Sequence, residues 1–477
     1  DRPDDEGGDT PVACAYRANC GKKCSGFRSG YNGVPGPLIF KDFGTPAGIP
    51  EKSRTSCKKS GFTANEKERG CSPGTGNTPS EPYYMDMETT KFRTWAEVDL
   101  DALLANHRAV KAHLGKDTQL CAVVKADAYG HGAVRVAHLL EKETDYFAVA
   151  MAEEAFELRR AGIKAPILIL GLVPEEQFVP LIKENITLTL ATYEGGKTLC
   201  KAAEKVGKPA KVHLALDTGM GRIGFLPGEG SKKEIQELSS CKELEIEGIF
   251  SHFAGADEED LSFAKEQNKR FDAFVKELER LGIHPPILHL FNSAAICNFK
   301  GHYGMAREGL ILYGLAPSEA VRPNLLPVKP VMTLKSRIVQ IKRVPAGTPI
   351  SYGSTFVTPT EMRIATVAVG YGDGVPRLLS NRGEMLVRGK RAGILGRVCM
   401  DQLLLDVSDP FFDTLETGEE AVLFGFDHGN YLDSGEQMEK CGSISYELLC
   451  NVNRRVPRVY IQNGQIESIA NILPEEV

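Results

Sequence analysis

Apolar and polar positions follow a regular pattern from about residue 93 to about residue 330. Thr94–Leu100 alternates between the two classes, which predicts a strand, and Asp101 stands where it would cap a helix that runs through Val110. Short apolar runs then alternate with segments of helical period. The further predicted strands are Gln119–Lys125, Phe147–Ala150, Pro166–Leu170, Lys211–Leu216, Ile246–Ser251, Ile287–Leu290 and Leu310–Tyr313, with helices such as Val134–Leu140, Glu153–Arg160 and Glu258–Leu281 between them.

Repeated strand–helix units with continuous apolar strands indicate a parallel sheet that is buried on both faces. About eight such units in roughly 240 residues fit a (β/α)8 barrel better than an open sheet. After about Pro330, short strands separated by glycine and proline predict a mainly β domain. The strands predicted there are Arg363–Val369, Glu384–Val387, Leu403–Val407 and Glu420–Phe424, with a single helix at Glu447–Asn451. The predicted fold class is therefore α/β, with the barrel at residues 91–330, where strand 94–100 is also compatible with the β domain, and the β domain at 331–477.

Residues 1–90 have a different composition, rich in Gly, Pro, Ser, Lys and Glu, and their apolar residues show no sustained period of 2 or 3.6. Such a segment buries too little apolar surface to offset the entropy lost on ordering. We expect a disordered extension, with Met85 or Met87 as a candidate natural start. The first residues show no apolar core of a secretory signal.

Charge and cysteine content narrow the functional classes. A net charge of −6 and the lack of a basic block interleaved with aromatic residues argue against a nucleic-acid partner, and no apolar run approaches the length of a membrane span. Seven of the twelve cysteines are scattered through apolar segments after residue 90. They are expected to be buried free thiols in a reducing cytoplasm, and no metal site is expected.

The segment Val123–Gly132 carries the first candidate chemistry. Its lysine, Lys125, stands at the carboxyl end of a predicted strand, before a glycine-punctuated turn and a helix. Catalytic residues of barrels lie at that end, and a lysine with apolar neighbours can form a Schiff base with a carbonyl. A lysine whose stem merely covers a strand end explains the same residue, so the segment alone leaves both interpretations open.

The whole decapeptide, however, resembles the pyridoxal-phosphate (PLP) lysine motif of the bacterial alanine racemases. The resemblance continues from Phe92 to the C-terminus and is specific at eight further motifs in order. These are Asp217–Gly224, Ser251–Ala254, Asn292–Ala294, Arg307–Gly314, Ser351–Gly353, Val369–Gly374, Cys399–Asp401 and Ile444–Glu447.

The resemblance implies a racemase that interconverts L- and D-alanine with two bases, one on each face of the substrate. Lys125 would act on the D-enantiomer and Tyr352 on the L-enantiomer. Tyrosine has an ordinary pKa near 10, so Tyr352 needs a partner that favours the phenolate, and His252 matches the family residue that supplies it. Arg307 lies behind His252 and would face the pyridine nitrogen, which it would leave unprotonated because arginine only donates.

The resemblance also assigns the binding residues. Cofactor binding is implied for Lys125, Tyr129, His252, Asn292, Ser293, Arg307, Gly309, Leu310 and Tyr446. Of these, Tyr129, Ser293, Gly309, Leu310 and Tyr446 match the positions that would hold the phosphate. Arg222 and the backbone N–H of Met400 would hold the substrate carboxylate, and Tyr371 would narrow the entrance. In the family, Tyr352, Tyr371 and Met400 come from the partner subunit, so a head-to-tail homodimer with shared sites is expected.

One position departs from the family pattern. Many members carry a lysine two residues before Asp217, and its carbamylated form holds the arginine equivalent to Arg222. Here that residue is Ala215, and Lys211 is about 13 Å away along a strand. We expect chloride or ordered water beside Arg222, and the larger site leaves serine open as a substrate.

Two alternative functions belong to other classes of PLP-binding protein. A PLP-dependent decarboxylase would share the architecture but generally places glutamate, not arginine, at the pyridine nitrogen. A non-catalytic PLP carrier would not need the C-terminal domain with Tyr352, Tyr371 and Met400. The resemblance implies a cytoplasmic enzyme that supplies D-alanine for peptidoglycan, although the residues themselves do not separate a biosynthetic from a catabolic role.

Overall fold

The computed structural model describes residues 89–301 and 303–471, and its N-terminal half is built around a ring of eight short strands. The strands of this half are β1 (Thr94–Asp99), β2 (Gln119–Val123), β3 (Tyr146–Val149), β4 (Ile167–Ile169), β5 (Leu188–Leu190), β6 (Ala210–Ala215), β7 (Leu244–Phe250), β8 (Ile287–His289) and β9 (Met305–Glu308). The helices are α1 (Leu100–Leu114), α2 (Lys125–Tyr129), α3 (Ala133–Leu140), α4 (Ala152–Arg160), α5 (Phe178–Lys183), α6 (Tyr193–Val206), α7 (Glu229–Ser239), α8 (Ser262–Arg280) and α9 (Ser293–Asn298).

Strands β2 to β9 pair in parallel in two groups, β4-β3-β2-β9 and β5-β6-β7-β8. A single bridge between Leu168 and Thr187 joins the groups on one side. On the other, the Arg307 N–H donates to the Phe291 carbonyl at 3.1 Å. Most positions of these strands are buried because helices cover their outer faces, although β7 begins with partly exposed positions. The predicted (β/α)8 barrel is confirmed.

The C-terminal part is a mainly antiparallel sheet, which confirms the second half of the predicted fold class. Its strands are β10 (Met332–Val344), β11 (Pro349–Ile350), β12 (Phe356–Val357), β13 (Met362–Val367), β14 (Glu384–Val387), β15 (Lys390–Leu395), β16 (Leu403–Asp406), β17 (Glu420–Asp427), β18 (Asn430–Leu432), β19 (Arg458–Gln462) and β20 (Gln465–Ala470), with helices α10 (Ser434–Glu439) and α11 (Ser445–Cys450). Six strands, in the order β10-β13-β16-β15-β14-β17, close into a ring because β17 also pairs with β10. One hydrophobic cluster runs from the barrel into this sheet.

Strand β1 lies in this sheet although it precedes the barrel in sequence. It pairs antiparallel with β10 and parallel with β19. The chain then enters α1, whose cap is Asp99: its side chain accepts from the Ala102 N–H at 2.9 Å. The predicted cap, Asp101, is wrong, because it already lies inside the helix.

Two other local predictions are also wrong, and one strand was missed. Leu310–Tyr313 is a buried 3-10 helix between Gly309 and Gly314, and the last barrel strand is β9. A short apolar run does not distinguish a strand from a buried helical turn. The C-terminal part holds a second helix, α10, and β5 was not predicted.

The cysteines depart from the expected set of buried free thiols. Cys200 and Cys241, which are 41 residues apart, form a disulfide. Among the free cysteines that the structure describes, Cys121 is buried and Cys450 is exposed, while the others are half-buried. Composition does not reveal which thiols the packing of α6 near α7 brings together.

The predicted disordered extension, residues 1–90, lies outside the described residues except for its last two, which begin the 3-10 helix Thr89–Lys91. Within residues 89–301 and 303–471, no helix has both the length and the apolar content to cross a membrane. The same residues contain no cluster of three or more His, Cys, Asp or Glu side chains placed to hold a metal ion.

Candidate active site

The carboxyl ends of the barrel strands enclose a cavity of about 330 Å³. Lys125 follows β2, His252 follows β7, and Arg307 lies near the end of β9; all three line the cavity, and the loop after β6 adds Arg222. This is the end at which barrel enzymes place their catalytic residues. The structure thus brings four of the predicted site residues into one cavity.

Lys125 is the first residue of α2, and the other four residues of that segment have a left-handed backbone. Their φ angles lie between 52° and 54°. This conformation is unfavourable for residues with a Cβ, so neighbouring groups must hold it. Glu154 accepts hydrogen bonds from the N–H groups of Ala126 and Ala150, each at 2.7 Å, and Asp127 accepts from the Ala133 N–H at 2.8 Å. These hydrogen bonds hold the turn and so fix the position of Lys125 at the end of β2.

His131 is a support of this turn that the sequence reasoning did not single out. Its Nδ1 lies 3.0 Å from the carbonyl oxygens of both Ala128 and Tyr129, and because both only accept, Nδ1 carries the proton. The ring is wholly buried, and burial lowers the pKa of His131 to about 4. The neutral imidazole therefore adds a hydrogen bond to two carbonyls of the left-handed turn, of which the Ala128 carbonyl also accepts from the Gly130 and His131 N–H groups. The Gly-His-Gly run at 130–132 was the available signal.

Burial and charge both act on the Lys125 amine. Burial lowers the pKa of Lys125, and the nearby positive charge of Arg222 lowers it further. Both effects penalise the ammonium form. Lys125 is thus set up to act as a neutral amine, the form that a nucleophile or a base requires.

Arg307 is a buried arginine whose two terminal nitrogens are fully engaged. Nη1 donates to His289 Nδ1 at 2.7 Å and to the His289 carbonyl at 3.2 Å. Nη2 donates to the Ser251 carbonyl at 3.0 Å and to His252 Nδ1 at 3.2 Å. Burial lowers the pKa of Arg307 to about 10, so the side chain stays charged at neutral pH.

These contacts fix the histidine tautomers. Arginine has no acceptor, so the Nδ1 atoms of His252 and His289 must accept and their protons lie on Nε2. The Nε2–H of His289 then donates to His213 Nδ1 at 2.8 Å. Burial, followed by the charge of Arg307, lowers the pKa of His252 and of His213 to about 3, and that of His289 well below its ordinary value. His252 therefore presents an N–H donor on the side away from Arg307.

The predicted phosphate residues form a cradle beside the turn. Ser293 Oγ accepts from the Gly309 N–H at 3.0 Å. A Cβ on Gly309 would lie 3.1 Å from the Tyr129 hydroxyl and 3.4 Å from Ser293 Oγ, so only glycine leaves this space open. The rings of Tyr129 and Tyr446 are 6.0 Å apart, and Leu310 follows Gly309 directly.

Asn292 has a local structural contact. Its Oδ1 accepts from the Ala295 N–H at 3.0 Å and caps α9, which fixes the start of the helix at Ser293. Hydroxyl and backbone N–H groups close together are the donors that a phosphate ester requires. The residues present therefore fit the phosphate of PLP.

The wall beside Arg222 is apolar. Ala215 packs in a small cluster with Ala191 and Phe250, and Leu170 and Ile223 pack against it. Lys211 is paired with Glu247 and does not substitute for a lysine at 215. Among the described residues, Arg222 forms no ion pair, so no protein anion stands where the carbamylated lysine would.

Three predicted site residues stand apart from the cavity. Tyr352, Tyr371 and Met400 lie on loops of the C-terminal part and are 68%, 43% and 52% exposed. None of them lines the cavity of its own chain. The structure thus gathers Lys125, Arg222, His252 and Arg307 in one cavity and leaves these three side chains outside it.

Comparison with known proteins agrees with this geometry. The family model described as "Alanine racemase, N-terminal domain" matches residues 98–317, and "Alanine racemase, C-terminal domain" matches residues 331–460. Alanine racemase 2 of Caldanaerobacter subterraneus subsp. tengcongensis is 44% identical over 382 residues, which cover 80% of this chain and 98% of that protein. The alanine racemase of Desulforamulus reducens is 46% identical over 369 residues, which cover 77% and 98%.

Solved structures give the same result. The alanine racemase of Clostridium difficile 630 superposes with a TM-score of 0.76 at 41% identity, covering 80% of this chain and 100% of that one. The alanine racemase of Bacillus anthracis with bound L-Ala-P gives 0.74 at 38% identity, covering 80% and 97%. The two family matches, which together span most of the chain, and these relatives show that the protein belongs to the alanine racemase family.

Proposed function

We propose that this protein interconverts L- and D-alanine with bound PLP and two opposed bases, Lys125 and Tyr352 of the partner subunit. The observation that carries the proposal is the arrangement of Lys125, His252 and Arg307 in one cavity beside a phosphate cradle. The names of the relatives support alanine as the substrate.

PLP would be held by Lys125 through its amine and by Tyr129, Ser293, Gly309, Leu310 and Tyr446 through its phosphate. When bound, it supplies an electron sink for the carbanion left by loss of the α-proton. Arg307 lines the cavity and would face the pyridine nitrogen of bound PLP. Because arginine only donates, it would leave that nitrogen unprotonated.

Lys125 is proposed as the base on the D face. A base must be neutral to accept a proton, and both burial and Arg222 lower the pKa of its amine. The left-handed turn that follows holds the lysine close to the phosphate cradle. One short segment therefore positions both a base and a cofactor ligand, Tyr129.

The second base is proposed to come from the partner's Tyr352. In its own chain Tyr352 is 68% exposed and lies outside the cavity, so an acting tyrosine has to be supplied by another copy. His252 presents an Nε2–H that would donate to the phenolate and stabilise it. Arg307 fixes that tautomer by donating to Nδ1. This supports a homodimer with shared sites.

Substrate carboxylate binding is assigned to Arg222 and to the backbone N–H of the partner's Met400, with the partner's Tyr371 at the entrance. The apolar wall at Ala215 offers no hydrogen-bond partner for a serine hydroxyl, and an unpaired buried hydroxyl is unfavourable. We therefore favour alanine over serine or a broad specificity. Arg307 in place of a carboxylate at the pyridine nitrogen disfavours a decarboxylase.

Chloride or ordered water is proposed to balance Arg222. Replacing chloride with a bulky anion should raise the KM for alanine if chloride is the counter-ion. An unchanged KM, together with a structure free of any anion at this position, would remove chloride from the proposal.

The test of the proposed function is a racemisation assay with purified enzyme and added PLP. L-alanine and L-serine are each followed by D-amino-acid oxidase coupling, with Lys125→Ala as the inactive control. We expect D-alanine to form and serine to react more slowly. PLP binding without racemisation would instead favour the carrier, and release of carbon dioxide the decarboxylase.

The shared site has a separate test. Mixing inactive Lys125→Ala and Tyr352→Phe proteins, after dissociation and reassembly, should restore about a quarter of wild-type activity, because mixed dimers contain one complete site. No recovery would reject the shared site. The proposed cytoplasmic setting, and the supply of D-alanine for peptidoglycan precursors, rest on the family resemblance.

A further inference from the structure

The two loops that carry Tyr371 and Met400 are joined into one unit. The Tyr371 N–H donates to the Cys399 carbonyl at 3.0 Å, and the Gly372 N–H donates to the Met400 carbonyl at 2.8 Å. A Cβ on Gly370 would lie 2.3 Å from the Cys399 carbonyl oxygen, so the loops approach as closely as glycine allows. A displacement of one loop therefore displaces the other.

A buried carboxylate, Asp373, anchors this unit. Its side chain is 1% exposed, and Oδ2 accepts from the Gly370 N–H at 2.9 Å. Oδ1 accepts from Arg93 Nη2 at 2.5 Å and from Arg455 Nε at 2.9 Å. A buried carboxylate is stable only while its charged partners remain in place, so the two arginines determine where the loop sits.

Arg455 also reaches the second loop. Its Nη2 donates to Asp401 Oδ1 at 2.7 Å, next to Met400 in the chain. The same guanidinium therefore joins a carboxylate from each loop. Arg93 adds a weaker tie, with Nη1 at 3.3 Å from the Asp401 carbonyl oxygen.

Arg455 also lies close to the chain's own barrel site. It follows α11, which carries Tyr446, and the Asn453 N–H donates to the Asp373 carbonyl at 3.0 Å. Through these contacts Arg455 could affect either the position of the outward-facing loops or, through α11, the position of the phosphate cradle. Within the part of the chain that the structure describes, the carboxylates that accept hydrogen bonds from the Arg455 side chain both belong to these loops.

We propose that Arg455 is a positioning residue for the partner's active site: through Asp373 and Asp401 it sets Tyr371 and Met400 for the substrate carboxylate there. This inference rests on the proposed function, in which the sites are shared. It assigns to Arg455 an effect on substrate binding in the other subunit and none on PLP binding in its own.

The first measurement compares Arg455→Ala with Arg454→Ala in full-length dimers. In Arg455→Ala the buried Asp373 keeps its ion pair with Arg93, and Arg454 is exposed, so both chains should fold. Arg455→Ala should raise the KM for L-alanine by about tenfold to a hundredfold, the effect of misplacing a binding group by about 1 Å, with PLP content and dimer assembly unchanged. Arg454→Ala should leave KM unchanged, and Arg455→Lys should restore part of the loss.

If Arg455→Ala does not fold, Asp401→Asn tests the same link, because Asp401 is 55% exposed and its replacement removes one ion pair only. The KM should again rise, by less than for Arg455→Ala. An unchanged KM in the variant that folds would overturn the proposal. So would a loss of PLP that accounts for the whole effect.

Two isolated mixed dimers then give the direction of action. In the first, an Arg455→Ala chain pairs with a Lys125→Ala chain. The barrel that retains Lys125 belongs to the Arg455→Ala chain, and the unaltered loops of the Lys125→Ala chain complete it. The KM of this dimer should be that of the wild type. In the second, a wild-type chain pairs with a chain that carries both changes. The working barrel is then that of the wild-type chain, and the altered loops complete it, so the KM should be raised. The opposite pattern would mean that Arg455 acts within its own barrel and would overturn the proposal.

A matched control separates this inference from the proposed function. If a mixed dimer of Lys125→Ala and Tyr352→Phe is inactive while the wild type racemises alanine, the sites are not shared and the proposed function fails in that part. If this control is active, the sites are shared, and the KM values of the two mixed dimers above then test the role of Arg455 alone.

Discussion

Replacing Ala126 with glycine should stabilise the protein, although glycine in place of alanine usually destabilises. Ala126 is an exposed residue of α2 with φ 53° and ψ 50°. The left-handed conformation is unfavourable by about 1–2 kcal/mol for a residue with a Cβ, and glycine avoids it. The greater freedom of glycine in the unfolded chain offsets about 0.5–1 kcal/mol of that gain. We expect a net stabilisation of about 0.5–1 kcal/mol.

The matched control is Ala105→Gly. Ala105 is also exposed but lies inside the ordinary helix α1, where the same replacement should destabilise by about 1 kcal/mol. The two variants should therefore change the free energy of unfolding in opposite directions, about 1.5–2 kcal/mol apart.

Urea unfolding of both variants and the wild type, at one protein concentration because dimerisation contributes to stability, measures this difference. The racemisation rate of Ala126→Gly should stay close to that of the wild type, since the N–H of residue 126 still reaches Glu154. Equal destabilisation by both replacements would show that the turn after Lys125 is not left-handed, and the proposed positioning of Lys125 and Tyr129 would fall with it.

Three further predictions address stability and chemistry. His131, His213 and His289 have folded-state pKa values below the ordinary 6.5, so the unfolded chain takes up protons that the folded chain refuses, and stability should fall as the pH drops from about 6.5 to about 4. Burial opposes but does not cancel the effect of Glu308, which leaves the pKa of His107 raised, so His107 changes stability only above about pH 6.5. The urea midpoint should therefore fall as the pH is lowered below 6.5, and a flat profile would contradict the buried neutral rings. Arg307→Lys replaces the two nitrogens that contact His252 and His289 separately with a single one and should lower kcat by about tenfold to a hundredfold while PLP remains bound, whereas a wild-type kcat would refute the tautomer argument. Wild-type activity should not change on removal of carbon dioxide, because residue 215 is alanine, while an Ala215→Lys variant should gain activity on addition of bicarbonate; bicarbonate dependence of the wild type would count against the described Arg222 site.

Much of the fold was predictable because barrel strands buried on both faces are continuous apolar runs. In the C-terminal sheet, strand β14 (Glu384–Val387) was also predicted, with its observed bounds. Leu310–Tyr313 was not, because four apolar residues are equally suited to a buried 3-10 turn. The cap at Asp99 was missed because two aspartates lie within three residues, and only backbone geometry decides which one accepts.

The site was predictable where chemistry is concentrated in local motifs, as at Lys125. The contacts that orient these motifs join residues far apart in sequence. His289 supports Arg307 from 18 residues away, and Arg455 reaches Asp373 across 82 residues. No local pattern marks such a pair, since each partner alone is compatible with an ordinary structural role. The left-handed backbone of α2 was also hidden, because its alanines and tyrosine do not favour that conformation.

Exchange of the α-hydrogen by the Tyr352→Phe variant is the most direct test of two opposed bases. The variant retains Lys125, so in deuterated water it should replace the α-hydrogen of D-alanine with deuterium, followed as loss of the proton NMR signal. L-alanine should keep its α-hydrogen, because the base on that face is missing. Comparable exchange of L-alanine, or no exchange of D-alanine by the PLP-loaded variant, would contradict the assignment of Lys125 and the partner's Tyr352 to opposite faces.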